Sequence, residues 1–375
     1  MCVANKAFKF RMYPNGEQEH YFANCFGSVR FLWNHMLGER IALYEQYKDD
    51  KDALKAHKPK TYSQWKKEYL WMYEVDNLAL ANAQMQLHTA YKNFFRDKSI
   101  GLPNFKSKHN SRKAYTTNNQ GGNIRIENGK LKLPKIGFVR IVQHRQIPAG
   151  YKIKSVTVSQ EPSGKYYASI LTEYEAEIPE ITLDIETALG LDYSSAHFYV
   201  DSNDAVADMP HWFREAQDRL AVEQRKLSRM VKGSANYGKQ KRRVARVHER
   251  IRNQRKDWQH KKSRELVSVH DIICVENIDY KSMAQGLKFG KATNDNAFGQ
   301  FRGFLSYKLA EQGKRLITID KWYPSSKKCR HCGNVNRELT LADRRWVCPC
   351  CGVKLDRDVN AAINIRNAGL EKLSA

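Results

Sequence analysis

The chain has 375 residues, 41% of them hydrophobic, which is too long for one ordinary core and enough for two or three packed domains. Its 64 Lys and Arg stand against 40 Asp and Glu, and a formal charge of +24 repels itself unless a polyanion neutralises it, so nucleic acid is the expected partner. No apolar run approaches a membrane span, no basic amphipathic helix shows an exposed apolar face, and Met1-Cys-Val-Ala-Asn-Lys has no signal-like apolar core; a soluble, intracellular protein with no membrane partner is expected.

From the N-terminus, residues 1–12 alternate like a short strand, and Tyr13-Pro-Asn-Gly16 predicts a turn. Gln18 to Tyr47 predicts a helix, with Phe22, Phe26, Val29, Leu32, Trp33 and Leu37 at near-helical spacing. The charged stretch Asp49–Lys60 predicts a loop. Helices follow at Ser63–Tyr73 and Asn77–Asp97; in the second, Leu80, Met85, Leu87, Tyr91, Phe94 and Phe95 share a face and read as core rather than as base-stacking platforms. From Gly101 to about Glu175 short alternating runs predict strands and hairpins, among them Asn123–Leu133 around a Gly turn, Lys152–Val158 and Tyr166–Leu171. Many outward positions there are Lys or Arg, as a surface tracking a phosphate backbone requires. Ile178–Glu186, acidic and Pro-containing, reads as a linker.

The second half opens with strand-like Leu189–Asp192 and His197–Asp201, joined by a tight Ser-Ser turn. A long basic helical region runs from Trp212 to His270, broken at Gly233–Gly238. Between Arg225 and Arg264 there are 16 Lys or Arg against two acids, Glu249 and Asp257, too few for i, i+4 pairing to neutralise the face. Val244, Val247, Ile251 and Trp258 form an apolar stripe, so the helix packs on one side and presents Lys239, Lys241, Arg242, Arg243, Arg246, Arg250, Arg255 and Lys256 as candidate nucleic-acid contacts.

Three acids share one physical logic. Asp192 lies in a short apolar strand, Glu276 ends the apolar run Ile272–Val275, and Asp358 precedes the Ala-rich helical segment Val359–Ile365. Singly each is ordinary; Asp356 or Asp358 can be a helix cap. As a set they are what phosphodiester hydrolysis by two Mg²⁺ or Mn²⁺ ions needs, carboxylates on rigid elements. Eight cysteines occupy positions 2, 25, 274, 329, 332, 348, 350 and 351, five of them within 23 residues. Cys329-x-x-Cys332-Gly and Cys348-x-x-Cys351-Gly, 15 residues apart, predict a closed structural zinc site of four thiolates, with Cys350 a surplus thiol able to replace a neighbour and His331 outside the ligand set. Cys2, Cys25 and Cys274 read as ordinary thiols.

The order Gly190-Leu-Asp192, Gly233-Ser-Ala-Asn236, Arg255-Lys-Asp257, Val275-Glu276-Asn277, Ser325-Ser326, the two Cys-x-x-Cys-Gly turns and Asp356-Arg-Asp358-Val-Asn-Ala-Ala-Ile-Asn-Ile365 closely resembles TnpB, the RNA-guided endonucleases of bacterial insertion sequences related to type V CRISPR effectors. Phe10-Arg-Met-Tyr-Pro14, Gly27-Ser-Val-Arg30 and Trp33-Asn34 extend the likeness over nearly the whole chain. The resemblance implies an α+β multidomain protein: a wedge-like β-barrel (1–12 and 101–180) with a helical recognition insertion (13–100), then a RuvC (RNase H-like) α/β nuclease (188–328 and 352–375) with an inserted zinc finger (329–351). It implies Asp192, Glu276 and Asp358 as the catalytic, magnesium-binding triad, and Cys329, Cys332, Cys348 and Cys351 as zinc ligands. It further implies one protein chain on one transposon-derived guide RNA, the guide–target duplex in a basic channel between the halves, and cutting of double-stranded DNA beside a short flanking motif in a prokaryotic cytoplasm. One departure stands out: Tyr193-Ser-Ser-Ala-His-Phe-Tyr199 lacks the glycine common there in relatives, so the hairpin beside Asp192 is open to variation. The rival readings are an RNase H-like DNA-joining transposase, which needs no RNA, and an RNA-guided repressor that binds DNA without cutting, which the intact triad disfavours.

Overall fold

Phe8, Phe10 and Met12 alternate with solvent-facing neighbours, which gives strand β1 (Cys2–Tyr13) one buried face. The computed structural model describes residues 2–109, 112–194, 197–279, 296–340 and 342–374, and the chain divides into two units, Met1–Ala176 and Glu177–Ala375.

In the first unit, helix α1 (Gly16–Tyr47) begins at a capping box in which Asn15 accepts from the Gln18 N–H while the Gln18 side chain accepts from the Asn15 N–H. The segment expected to be a loop holds a short helix, α2 (Lys51–Ala56), because the Asp50 carboxylate caps the N–H groups of Asp52 and Ala53. The next expected helix splits into α3 (Tyr62–Glu68) and a 3₁₀ turn (Leu70–Glu74). Helix α4 (Asn77–Arg96) starts at the Asp76 cap. Its Leu80 and Leu87 are buried as expected, but Met85 is 59% and Phe95 72% exposed, so that face is only partly core. Strands β2 (Lys113–Asn118), β3 (Arg125–Glu127), β4 (Lys130–Leu133), β5 (Gly137–Val142), β6 (Lys152–Gln160) and β7 (Tyr166–Ala176) join β1 in a seven-stranded sheet ordered β2-β6-β7-β1-β5-β4-β3. Every pairing is antiparallel. One core joins this sheet to α1 and α4, with Phe10, Phe22, Leu32, Leu80, Val139 and Val158 at its centre.

The second unit is built on strands β8 (Leu189–Tyr193), β9 (Tyr199–Asp201) and β10 (Val206–Ala207), then helices α5 (Trp212–Glu215), α6 (Gln217–Ser228) and α7 (Ala235–Val269). Ser195 of the expected Ser-Ser turn lies outside the described residues. The helical break comes earlier than expected, because the Ser234 hydroxyl caps the Tyr237 N–H and carries Asn236 to Gly238 into α7. The apolar stripe of α7 is also thinner than expected: Ile251 is buried, Val244, Val247 and Trp258 only in part, and the buried set includes Gln240, Glu249, Gln259 and Ser263. Strand β11 (Ile272–Val275), helix α8 (Phe298–Ala310), strand β12 (Arg315–Thr318), the pair β13 (Arg345–Val347) and β14 (Lys354–Asp356), and helix α9 (Arg357–Ser374) follow.

The five-stranded sheet runs β10-β9-β8-β11-β12. Strands β8, β9 and β10 pair antiparallel, while β11 and β12 run parallel to β8. All four residues of β11 are buried, as a parallel strand covered on both faces requires. Helix α9 lies against β8 and β11 at backbone distance. A Cβ on Gly190 would fall 2.0 Å from the Ala362 carbonyl oxygen, and one on Gly369 would fall 2.2 Å from Cys274 Sγ, so only glycine admits the helix at both places.

Candidate functional site

The close seat of α9 on β8 and the parallel register of β8 with β11 bring three acids into one neighbourhood. Val275, the last residue of β11, pairs with Leu191, so Glu276 follows the strand end beside Asp192, and its charge acts on the Asp192 carboxyl. Asp358 is the second residue of α9. The ambiguity between the two aspartates at this helix start resolves physically: Asp356 accepts from the N–H groups of Asp358 and Val359 and is the cap. The Asp358 carboxylate is turned elsewhere, toward Arg344, whose Nη1 reaches its two oxygens at 3.0 and 3.3 Å.

Burial, then the nearby charges of Glu276 and Asp358, hold the Asp192 carboxyl well above the usual carboxylate range, with Arg357 and Arg344 pulling the other way. Burial also raises Glu276, against the opposing effect of a hydrogen bond donated by the Ser325 hydroxyl to Oε1. Concentrated negative charge of this kind is unfavourable until a cation joins it, and hard carboxylate oxygens suit Mg²⁺ or Mn²⁺. The three do not form a tight cluster of the kind the cysteines make; among the described residues, four thiols alone do that.

Those thiols are Cys329, Cys332, Cys348 and Cys351, whose sulfurs all lie within 4.8 Å of one another. Cys329 Sγ is 3.8 Å from Cys351 Sγ and Cys332 Sγ is 3.6 Å from Cys348 Sγ. Four sulfurs at about 2.3 Å from a tetrahedral zinc sit roughly 3.8 Å apart, so the donor set and its spacing fit that ion. Each knuckle closes on a glycine with positive φ, Gly333 at 78° and Gly352 at 72°, whose N–H donates to the carbonyl of Cys329 and Cys348 respectively. The N–H of Cys351, with help from that of Cys350, holds the Cys348 thiol down to about 6. Cys350 is exposed and lies outside the cluster, which Cys351 completes. Cys25 and Cys274 are buried free thiols.

Side chains that sequence reasoning did not single out tie the two centres together. Asn364 Nδ2 donates to the carbonyls of Ser325 (2.8 Å) and Lys328 (2.6 Å), Asn360 Nδ2 donates to Lys328 O (2.8 Å), and Asn360 Oδ1 accepts from Arg330 N (3.0 Å). Both asparagines are buried on α9. The repeated Asn in Asn360-Ala-Ala-Ile-Asn364 was the available signal: i, i+4 spacing places two amides on one helix face.

The basic surface is resolved more finely than sequence allows. Helices α5, α6 and α7 enclose a groove of about 650 Å³ lined by Trp212, Arg219, Glu223, Arg243, Arg246 and Arg250 among others. Arg219, Arg246 and Arg250 make no ion pair among the described residues. Of the eight expected contacts, Arg243, Arg246 and Arg250 line the groove; Lys239, Lys241, Arg242 and Lys256 are exposed elsewhere on α7, and Arg255 is half-buried. Arg219, which lines the same groove from α6, lies outside that expected set.

The family model described as "Probable transposase" (OrfB of IS605) matches residues 169–286, the "Cas12f1-like, TNB domain" model matches 298–365, and the "Helix-turn-helix domain" model of the OrfB group matches 1–49. Despite that last description, residues 2–47 here form one strand and one uninterrupted helix. A candidate RNA-guided DNA endonuclease of Streptomyces pristinaespiralis is 36% identical over 99% of this chain and 90% of its own length. Another, InsQ of Escherichia coli K12, is 31% identical over 97% of this chain and 92% of its own. Among solved structures, a Cas12f1–sgRNA–target DNA complex superposes with a TM-score of 0.64 at 12% identity, covering 97% of this chain and 99% of that one, which is likeness of fold.

Proposed function

The chain belongs to the TnpB family of insertion-sequence RNA-guided DNA endonucleases, and from that premise we propose that it carries a transposon-derived guide RNA and cuts double-stranded DNA beside a short flanking motif by metal-dependent phosphodiester hydrolysis. The observation that carries the reading is the convergence of Asp192, Glu276 and Asp358 from two parallel strands and the helix packed on them. Three antiparallel strands followed by two parallel ones is the sheet order of an RNase H-like, RuvC-type nuclease, and we assign the second unit to that fold. The seven-stranded sheet of the first unit corresponds to the wedge barrel, with α1 to α4 as its helical recognition insertion, and residues 329–351 to the zinc finger.

Asp192, Glu276 and Asp358 would hold Mg²⁺ or Mn²⁺, which when bound would lower the pKa of a water and offset charge on the scissile phosphate. The protein's part is geometric and electrostatic. Asp192 and Glu276 present adjacent carboxylates from rigid strands. Asp358 is withheld by Arg344 until a phosphate or cation competes for one member of that pair. The cysteine cluster, closed by four thiolates, leaves no position open for chemistry and serves the fold. One protein chain on one guide RNA is the assembly we propose; base pairing then selects the sequence, while protein side chains hold the backbone.

The direct test is to express the protein with the genomic DNA that encodes it, sequence the RNA it retains, and incubate the complex with matched duplex DNA and Mg²⁺. A discrete RNA ending in variable flanking sequence, with guide-dependent cutting, is the expected result. Absence of bound RNA together with joining of transposon ends would replace this reading with the transposase.

The groove makes a second prediction. Changing Arg243, Arg246 and Arg250 together to Ala is expected to weaken nucleic-acid binding regardless of sequence. The slope of log K against log salt should fall by about one for each phosphate that these side chains no longer neutralise. A salt titration with an unchanged slope would remove this groove from the nucleic-acid interface.

A further inference from the structure

Ser325 is 6% exposed, lies four residues before the first zinc-type ligand, and is the hydrogen-bond donor to the Glu276 carboxylate. Its bond takes Oε1 only; Oε2 accepts no hydrogen bond among the described residues. Ser325 is itself held from both sides. Its N–H donates to Tyr323 O at 2.8 Å, and its carbonyl accepts from Asn364 at 2.8 Å and Asn360 at 3.5 Å. Three residues on, Lys328 O takes both asparagine amides, and Arg330 N closes on Asn360 Oδ1. The strap from Ser325 to Arg330 is therefore fastened at one end to Glu276, along its length to α9, and through Cys329 to the cysteine cluster.

A buried side-chain amide is unfavourable unless its bonds are satisfied, and α9 places two of them, Asn360 at 1% and Asn364 at 3% exposure, against this one segment. The same helix carries Asp358 two residues before Asn360. Glu276 and Asp358, which come from different elements, are thus referred to a common piece of backbone. Fixing the unused oxygen of one carboxylate relative to another is what a metal centre built on flexible side chains requires, and hydrogen-bond partners behind the ligands commonly set metal affinity.

We propose that Ser325 is a positioning residue that orients Glu276 for divalent-metal binding, and that the Asn360–Asn364 clamp transmits the folded state of the cysteine cluster to the carboxylate centre through it. The proposal rests on the nuclease reading above, so the wild-type complex must first bind Mn²⁺ and cut DNA; failure there overturns that reading rather than this one.

The experiment measures Mn²⁺ binding calorimetrically on purified protein–RNA complex, alongside zinc content, RNA affinity, melting temperature and DNA cleavage, for wild type, Ser325→Ala, Ser325→Thr, Asn364→Ala and the Ser325→Ala, Asn364→Ala double variant. Ser325→Ala is expected to weaken Mn²⁺ binding by about tenfold or more, with cleavage falling in parallel, while zinc content and RNA affinity stay at wild-type levels. Ser325→Thr, which keeps the hydroxyl, is expected to restore most of the affinity. Asn364→Ala is expected to weaken Mn²⁺ binding in the same direction, and the Ser325→Ala, Asn364→Ala double variant to lose clearly less than the two single effects combined, close to Ser325→Ala alone, since both act on one path. Wild-type Mn²⁺ affinity in a folded Ser325→Ala complex would overturn the proposal. So would a loss in Ser325→Ala that Ser325→Thr fails to recover, or strict additivity of the two changes.

Discussion

Replacing Asp192 with Asn is expected to lower the rate of DNA cleavage by about 10³-fold or more, because several kcal/mol of charge stabilisation at the phosphate depart with the metal, and each ~1.4 kcal/mol is a factor of ten. The substitution is close to isosteric and leaves the β8–β11 register untouched, so guide RNA retention and target binding are expected to remain. Its effect on stability has a definite sign. Burial and the charges of Glu276 and Asp358 raise the Asp192 carboxyl in the folded protein. A carboxyl so raised favours the fold while protonated, and its contribution is lost as pH rises from the unfolded value through the raised folded one. At neutral pH without divalent metal, D192N is therefore expected to melt no lower than wild type. Near-wild-type cleavage by D192N in a complex of verified purity would end the assignment of this carboxylate. A sharply lower melting temperature would show that its role is structural.

The second large effect is expected at the cysteine cluster. Its core is small, made of Cys329, Leu339, Trp346, Cys348 and Leu355, with Val353 packed on it. A core of that size does not hold a fold by itself, whereas a structural zinc contributes on the order of 10 kcal/mol to domains of this kind. Cys329→Ser and Cys348→Ser are each expected to lose one equivalent of bound zinc by metal analysis, to lower the melting temperature, and to abolish cleavage. The sulfur left out of the cluster provides the internal control: Cys350→Ser is expected to keep both zinc and activity. Full zinc content in Cys329→Ser would contradict the four-thiolate site. The cluster matters beyond its own residues because the strap that begins at Ser325 ends inside it.

Much of this protein was legible along the chain wherever the determinants are local. The alternation of Phe8, Phe10 and Met12 predicts β1, and the spacing of Phe22, Phe26, Leu32 and Leu37 predicts α1. A Cys-x-x-Cys-Gly knuckle declares itself because both thiols and the positive-φ glycine that turns the chain lie within five residues. Charge is likewise additive and needs no fold to be counted. The places where the reading failed are also local in origin: the Asp50 cap made a helix of a segment judged by charge alone, and Met85 and Phe95 share a helical period with Leu80 and Leu87 without sharing their neighbours.

What only the tertiary structure decided are relations between distant residues. Asp356 and Asp358 are chemically alike in the sequence, and only the direction of each carboxylate separates the cap from the member of the acidic group. Arg219 joins Arg243, Arg246 and Arg250 because two helices meet, and Ser325 reaches Glu276 across 49 positions. Gly190 looks like any strand glycine until the Ala362 carbonyl is seen where its side chain would be. The sequence by itself determined which groups are present, their total charge and their short-range periodicity, because each depends on neighbours a few bonds away. Folding decided which of those groups share a space, because that depends on the packing of α9 on β8 and β11, and no stretch of either contains it.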